Sequence, residues 1–277
     1  MIAVVQLRNC LRAREIQEVL WMVLRKVMIA SASPDRLNVN AVLREYVVEG
    51  FRRAFPEIET VGVDYEAAVT SASAMRPDLT VVFGSVMNDD TDYYRLADEV
   101  HRVGNRLAFW LHDDPYEFDA NERIFPLADI IFTNDEASLD FYPIHVPVFH
   151  LPLGASELVH YRAIDRRMGP DLFFCGHLFE NRRKFLCELS NKSSDFSKRI
   201  IAIGTGQPDA EMPWWSQVNL PNSSLPGFYA SAVAVLNIGR DLNLANQRYG
   251  IRASTPGPRT ETRIPRTCRR NPRGRRR

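Results

Sequence analysis

DLTVVFGS at residues 78–85, DYYRLADEVHRVGN at 92–105 and RLAFWLHDD at 106–114 together decide the fold class of this chain. The first and third stretches hold nearly continuous apolar runs, which are typical of strands buried on both faces of a sheet. The stretch between them has apolar residues at helical spacing and Gly104 where a helix is expected to stop. A strand, a helix and a strand in this order predict two parallel strands joined by a right-handed crossover.

The same alternation continues on both sides of this unit. The other strand-like and helical runs are KVMIASAS at 26–33, NAVLREYVVEGFRRAF at 40–55, IETVGVD at 58–64, YEAAVTSASAMRPD at 65–78, ADIIFTND at 128–135 and VPVFHLPL at 146–153. Strands that alternate with helices of this length are typical of a doubly wound sheet. We therefore predict a Rossmann-like domain over residues 26–150, preceded by an N-terminal extension over 1–25.

After a poorly periodic linker at 151–170 the alternation begins again. The runs are DLFFCGH at 171–177, NRRKFLCELS at 181–190, KRIIAIGTG at 198–206, SLPGFYASA at 224–232 and VAVLNIG at 233–239. They predict a second Rossmann-like domain over 171–260, which is too short for the five or six strands of such a unit. The predicted fold class is α/β with two parallel sheets, the C-terminal one incomplete, followed by a basic disordered tail over 261–277.

Charge is distributed unevenly along the chain. Of 35 Lys and Arg and 34 Asp and Glu residues, eight Arg and one Glu lie in 261–277, which leaves 27 basic and 33 acidic residues in the rest. The body of the protein therefore has a net charge of −6. A mildly acidic body argues against a face that binds nucleic acid specifically.

The cysteines and the most apolar N-terminal run bear on cellular location. The four cysteines have no CxxC spacing and no paired histidines, so a zinc site is not predicted. VLWMVL at 19–24 is far shorter than the roughly 20 residues of a membrane-spanning helix and lacks a cleavage site. We predict reduced thiols, no signal peptide, no integral membrane segment and a cytoplasmic protein.

Catalytic side chains are expected at the carboxyl ends of the strands, because ligands of open parallel sheets bind there. His112, Asp113 and Asp114 follow the strand-like run RLAFWL directly and are the candidate catalytic residues. His112 is placed to donate a hydrogen bond to a bound sugar, and a carboxylate to orient an acceptor hydroxyl or act as a base. Two alternatives stay open: the acids cap the next helix, or they recruit a divalent cation.

Anion-binding features follow the strands of the second domain. Gly176 lies at the tip of the run DLFFCGH, and Arg182 and Arg183 begin the next helical run. Helix N-terminal amides and guanidinium groups both favour a diphosphate, although basic residues on a solvated helix face would look the same. NIGRDLN at 237–243 and STPGPRT at 254–260 contain small residues that permit close approach of a ligand to the backbone.

Taken together, these stretches resemble the CgeB-like, spore-maturation-protein-type glycosyltransferases, which have the GT-B architecture and are related to glycosyltransferase group 1. The resemblance covers about residues 26–260. It is most specific in FYASAVAVLNIGRDLNLANQRYGIRASTPGPRT at 228–260, with support from PDLTVVFG, HDDPYEFD, TNDEASLDFY and GHLFENRRKFL. It implies two domains that face each other across a cleft. The N-terminal domain would receive the acceptor, and the C-terminal domain would bind the nucleotide sugar, usually without a metal ion.

The resemblance also implies roles for individual positions. His112 matches a histidine that group 1 enzymes hold near the donor sugar, whereas His177 stands where many relatives have an arginine. The donor-side residues that it implies are Arg182, Arg183, Gly239, Arg240, Asn243, Arg259 and Thr260.

The match to the family ends at Thr260. In relatives, PGPRT is followed by Phe, Glu and a helix of small residues, whereas residues 261–277 read ETRIPRTCRRNPRGRRR. Pro265 and the arginines cannot continue a buried amphipathic helix. We hypothesise a frameshift or premature stop after Thr260, with little or no turnover, which the genomic DNA around codon 260 would test. The rival hypothesis is a true basic tail that binds polyanions.

The predicted function is transfer of a sugar from a nucleotide-sugar donor to a hydroxyl of a glycan, protein or small-molecule acceptor. No cofactor is expected, because the nucleotide sugar is itself a substrate. The alternatives are a non-catalytic module that binds a sugar or nucleotide, and a phosphate-binding regulatory domain. The last lacks a Walker motif or a receiver-type lysine partner in the sequence.

Overall fold

A computed structural model of the chain describes residues 24–37, 40–167, 169–192, 197–203, 215–217, 220–241 and 244–254. Several sequence-based expectations fall outside these residues. They are most of the N-terminal extension, the candidate donor residues Asn243, Arg259 and Thr260, and the basic tail at 261–277.

The first half of the chain forms a six-stranded parallel sheet in the order β2-β1-β3-β4-β5-β6. The strands are β1 Lys26–Ser31, β2 Glu59–Val63, β3 Leu79–Phe83, β4 Arg106–Leu111, β5 Ile130–Thr133 and β6 Val148–His150. The connecting helices are α1 Asn40–Ala54, α2 Tyr65–Met75 and α3 Tyr93–Arg102. Short 3-10 segments occupy Asp35–Leu37, Phe118–Ile124 and Glu136–Phe141.

Apolar packing covers both faces of this sheet. Adjacent strand residues point to opposite faces, so Phe109 and Trp110 of β4 belong to two different core clusters. Phe109 packs with Leu96 of α3, and Trp110 packs with Phe51 of α1. This two-sided burial explains why β3 and β4 are almost continuously apolar in sequence.

The second half forms a smaller parallel sheet in the order β10-β7-β8-β9. Its strands are β7 Leu172–His177, β8 Lys198–Ile203, β9 Trp215–Gln217 and β10 Ala234–Val235. The helices of this half are α4 Glu157–His160, α5 Glu180–Lys192 and α6 Leu225–Ser231, with a 3-10 segment at Asn222–Ser224. The predicted fold class, α/β with two parallel sheets of which the second is smaller, is confirmed.

One element prediction needs correction. The run VAVLNIG at 233–239 yields a strand of only two residues, because β10 pairs with β7 in register only through Ala234 and Val235. The predicted linker at 151–170 contains one helical turn, α4, whose preceding Ser156 carbonyl accepts a hydrogen bond from the His160 amide at 2.8 Å.

Residues 244–254 pack against loops of the first sheet. The amide of Ala245 donates to the Tyr116 carbonyl at 3.0 Å, and Asp119 accepts hydrogen bonds from two amides of this segment. Ile251 is buried in the same core cluster as Phe109. Ser254 donates through its amide and its hydroxyl to Asp135. This segment therefore ties the end of the second half to the first sheet.

None of the described helices is both long and apolar enough to cross a membrane.

Candidate functional site

The carboxyl ends of the two sheets meet through a direct ion pair. Nη2 of Arg240, which lies shortly after β10, is 3.0 Å from Oδ1 of Asp113, which lies shortly after β4. The two residues are 127 positions apart in sequence. Because ligands of parallel sheets bind beyond the carboxyl ends of the strands, this contact locates the candidate site.

His112 is oriented by its neighbours on both sides. Its Nδ1 lies 3.1 Å from Oδ2 of Asp113, and its ring packs against Phe83 with centroids 5.2 Å apart. Its Nε2 is buried and has no hydrogen-bond partner among the described residues. Burial lowers the pKa of His112, but the hydrogen bond and charge of Asp113, with the charge of Glu117, outweigh burial and raise it.

Asp113 stays ionised between an imidazole and a guanidinium group. Burial disfavours its charge, yet the hydrogen bonds and charges of His112 and Arg240 lower its pKa below the ordinary value. Its two carboxylate oxygens are divided between them, with Oδ2 toward the imidazole and Oδ1 toward the guanidinium. Asp113 therefore couples the orientation of His112 to the position of Arg240.

Glu117 forms a second carboxylate partner for Arg240. Its Oε1 lies 3.9 Å from Nη2 of Arg240, and its Oε2 accepts a hydrogen bond from the hydroxyl of Ser85, which follows β3. Burial and the charge of Asp113 raise its pKa. The guanidinium of Arg240 also stacks over Tyr116, at 4.3 Å from the ring centroid. Arg240 thus holds the loop after β4 at several points.

Asp114 has a different environment from the adjacent Asp113. It is 4% exposed and accepts hydrogen bonds from Asn121 at 2.7 Å and from the hydroxyls of Thr133 and Tyr142 at 2.5 Å each. Burial raises its pKa despite these donors. Its carboxylate is therefore turned into the interior of the first sheet's loops and fixes their conformation.

Arg182, in the first turn of α5, lies on the second-sheet side of the site. Its Nε donates to the Ile238 carbonyl at 2.9 Å and its Nη1 to the His177 carbonyl at 2.8 Å. Burial and the charge of Arg240 lower its pKa, and the Ile238 carbonyl that Arg182 contacts lies only two residues before Arg240. A Cβ at Gly176 would lie 3.4 Å from Nη1 of Arg182. Two nearby cations beside a glycine suit an anionic ligand.

Arg183 and Gly239 occupy different places. Arg183 donates from Nε and Nη2 to the carboxylate of Glu180, one turn earlier on α5, at 2.9 Å for both bonds. The carbonyl of Gly239 accepts a hydrogen bond from Nδ2 of Asn181 at 2.9 Å. The structure therefore brings His112, Asp113, Arg182, Gly239 and Arg240 together, whereas Asp114 and Arg183 turn to partners of their own.

The sequence predictions did not assign roles to several residues of this site. Ser85, Tyr116, Glu117 and Asn181 all contact it or the residues that hold it. Ser85 is the last residue of the predicted strand-like run 78–85. The rule that ligands bind at strand ends could therefore have pointed to it. Asn181 precedes Arg182 in a helix and carries no comparable local signal.

Within the described ranges, no three His, Cys, Asp or Glu side chains are grouped so as to hold a metal ion. Asp113 and Asp114, the pair considered for a divalent cation, bind different partners.

No protein-family model matches the sequence, and no curated protein matches it. Among solved structures, the chain is similar to the apo form of the lipopolysaccharide outer core galactosyltransferase WaaB, at 10% identity and a TM-score of 0.40 over 75% of this chain and 67% of that chain. It is also similar to S. aureus MnaA in a co-structure with UDP, at 11% identity and a TM-score of 0.39 over 76% of this chain and 67% of that chain.

Proposed function

We propose that this chain binds a nucleotide sugar between the carboxyl ends of its two sheets and transfers the sugar to an acceptor hydroxyl. The observation that carries the proposal is the Asp113–Arg240 ion pair, which joins the loop that holds His112 to the arginine side of the second sheet. A ligand with a diphosphate at one end and a hydroxyl-bearing ring at the other fits this arrangement, with the diphosphate at the arginines and the ring at His112.

Arg182 and Arg240 are the proposed ligands of the diphosphate. Guanidinium groups bind phosphate oxygens through charge-assisted hydrogen bonds. In a transfer reaction the bond between the sugar and the diphosphate breaks, and the electron pair leaves with the diphosphate. Cations already held at that position stabilise the developing charge. The absence of a side chain at Gly176 leaves room for the ligand beside Arg182.

His112 is the proposed contact to the sugar. Its hydrogen bond to Asp113 assigns a proton to Nδ1, which leaves Nε2 directed to a ligand hydroxyl. Asp113 holds the ring in this tautomer and orientation, and it links the ring to the diphosphate side through Arg240. Asp114 is not a proposed ligand contact. It fixes the conformation of the loop by accepting hydrogen bonds from Thr133 and Tyr142.

The finer assignment, a CgeB-like glycosyltransferase, rests on the resemblance of residues 228–260. On that basis Asn243, Arg259 and Thr260 join the donor side. The acceptor, whether a glycan, a protein or a small molecule, would enter from the side of the first sheet.

The proposal is tested by ligand binding to the purified chain. Isothermal titration with UDP-, GDP- and ADP-glucose is compared for the wild type, Arg182→Ala, Arg240→Ala and His112→Ala, with Lys184→Ala as a control cation on the same helix. We expect the two arginine variants to lose about tenfold or more in affinity, because each removes charge-assisted hydrogen bonds. Lys184 is exposed and pairs with Glu180 at 3.6 Å, so its variant should bind as the wild type does.

Transfer is then followed by release of the nucleoside diphosphate in the presence of mixed acceptor sugars. His112→Ala should retain nucleotide affinity within about threefold and abolish any transfer. Saturable glycan binding without turnover, unaffected by His112→Ala, would instead favour a non-catalytic sugar-binding module. Failure of the wild type to bind any of the three nucleotide sugars would overturn the proposal.

A further inference from the structure

Two asparagines flank the Asp113–Arg240 ion pair in the same way, one from each sheet. Asn134 follows β5 directly, and its Nδ2 donates to the His112 carbonyl at 2.8 Å. Asn181 lies in the first turn of α5, and its Nδ2 donates to the Gly239 carbonyl at 2.9 Å. In both residues Oδ1 is buried and has no hydrogen-bond partner among the described residues.

The backbone carbonyls decide the orientation of both amides. A flipped side chain would place Oδ1 against a carbonyl oxygen, two acceptors with no proton between them. Nδ2 must therefore remain on the carbonyl, and Oδ1 is left as an acceptor. A buried acceptor without a donor is costly, so each such atom requires an explanation.

These two acceptors lie beside the groups already assigned to the site. Asn134 is bonded to the backbone of His112, whose own Nε2 is also buried and has no partner in the described part of the chain. Asn181 is bonded to the backbone of Gly239, the residue before Arg240, and it immediately precedes Arg182. By contrast Asn105, whose Nδ2 is also buried without a partner among the residues that the structure describes, lies at the amino end of β4.

The chemistry of an amide oxygen limits what can satisfy it. A phosphate offers oxygen lone pairs, which repel Oδ1 and suit arginines. A hydroxyl group offers a proton, which Oδ1 accepts. The site therefore combines two cations for phosphate oxygens with two neutral acceptors for hydroxyl protons.

We propose that Asn134 and Asn181 bind hydroxyl groups of the ligand, so that the site selects a phosphorylated polyol, such as a nucleotide sugar, over a bare polyphosphate. This inference rests on the proposed function and names the part of the ligand that these residues recognise. Asn134 also orients His112 through its backbone, and Asn181 holds the Gly239 carbonyl beside Arg240.

The experiment compares inorganic pyrophosphate with a nucleotide sugar. Both ligands contain a diphosphate, but only the nucleotide sugar carries sugar hydroxyl groups. Affinities are measured for inorganic pyrophosphate and for whichever of UDP-, GDP- or ADP-glucose the wild type binds most tightly. Asn134→Ala and Asn181→Ala should each weaken sugar-nucleotide binding by about tenfold. Their affinity for pyrophosphate should stay within about twofold, which also shows that each variant is folded. Asn105→Ala serves as the matched control and should change neither affinity.

The outcomes separate this inference from the proposed function. Equal losses for both ligands in the asparagine variants, or no loss for either, overturn the inference alone. If Asn134→Ala loses pyrophosphate binding because it does not fold, Asn181→Ala on the other sheet decides the matter. Absence of sugar-nucleotide and pyrophosphate binding by the wild type overturns the proposed function. Arg182→Ala should lower both affinities, since it acts on the shared diphosphate.

Discussion

The two sheets place their functional side chains in different ways. In the first sheet, the loop after β4 follows a strand that is buried between two large apolar clusters, one on each face of the sheet. In the second, the described core is small, with Phe174, Leu186 and Ile238 on one side of β7 and Phe173 with Ala232 on the other. Arg182 is instead fixed by backbone carbonyls, and Arg240 by carboxylates of the first sheet. We infer that the first sheet provides most of the stability and the second most of the anion affinity.

The largest expected effect comes from the core of the first sheet. Phe109 is fully buried and its ring meets Tyr93 with centroids 5.5 Å apart, so Phe109→Ala should lower the free energy of unfolding by about 3–5 kcal/mol. Leu186→Ala in the second core should cost about 2–3 kcal/mol, because fewer neighbours surround the cavity. Urea unfolding measures both. Amide exchange should show β4 more protected than β7. A larger loss for Leu186→Ala would contradict the comparison.

A smaller effect separates the two adjacent acids of the loop. Asp114→Ala leaves Asn121, Thr133 and Tyr142 without their buried acceptor and should cost about 2–4 kcal/mol of unfolding free energy. Asp113→Ala leaves Glu117 beside Arg240, so it should cost less than Asp114→Ala and act mainly on ligand affinity. The measurements are urea unfolding and nucleotide-sugar titration. If Asp113→Ala lowers the free energy of unfolding more than Asp114→Ala does, the structural role given to Asp114 is wrong.

The smallest expected effect concerns the segment that ties the second half to the first sheet. Glu122 accepts hydrogen bonds from Arg248 and from the hydroxyl of Tyr249, and these bonds lower its pKa. A carboxyl group whose folded-state pKa is lowered contributes stability above its ordinary pKa, and that contribution is lost as the pH falls through the lowered value.

Tyr249→Phe should therefore cost about 0.5–1 kcal/mol near neutral pH, and the difference from wild type should shrink as the pH falls below the ordinary pKa of a glutamate, about 4.3. Unfolding by urea across this range measures it. Tyr94→Phe, at an exposed tyrosine of α3, is the control and should show no such pH dependence. A difference that grows toward acid pH would contradict the role of Glu122.

Much of the fold followed from local patterns. Alternating apolar strands and amphipathic helices predicted both parallel sheets, and the strand-end rule pointed to the residues around His112. Shorter features were less predictable. The run 233–239 is as apolar as a full strand, yet β10 has only two residues, since pairing with β7 and not composition sets its length.

Adjacent polar residues mark the limit of local prediction for the site. Asp113 and Asp114 are equivalent in sequence, but their partners lie 127 and 28 residues away, at Arg240 and Tyr142. Arg182 and Arg183 follow one another on a helix, where successive side chains point about 100° apart. One therefore turns to the carbonyls of the site and the other to Glu180.

The sequence by itself determined the α/β class, the two sheets and the strand ends at which polar groups gather, because these depend on periodicities within a few residues. Only the tertiary structure decided which of those groups face one another across the sheets. The pairing of Asp113 with Arg240, and the buried side-chain oxygens of Asn134 and Asn181 that lack a partner within the described ranges, depend on contacts between segments far apart in the chain. The packing of the two halves sets such contacts, and no local pattern encodes them.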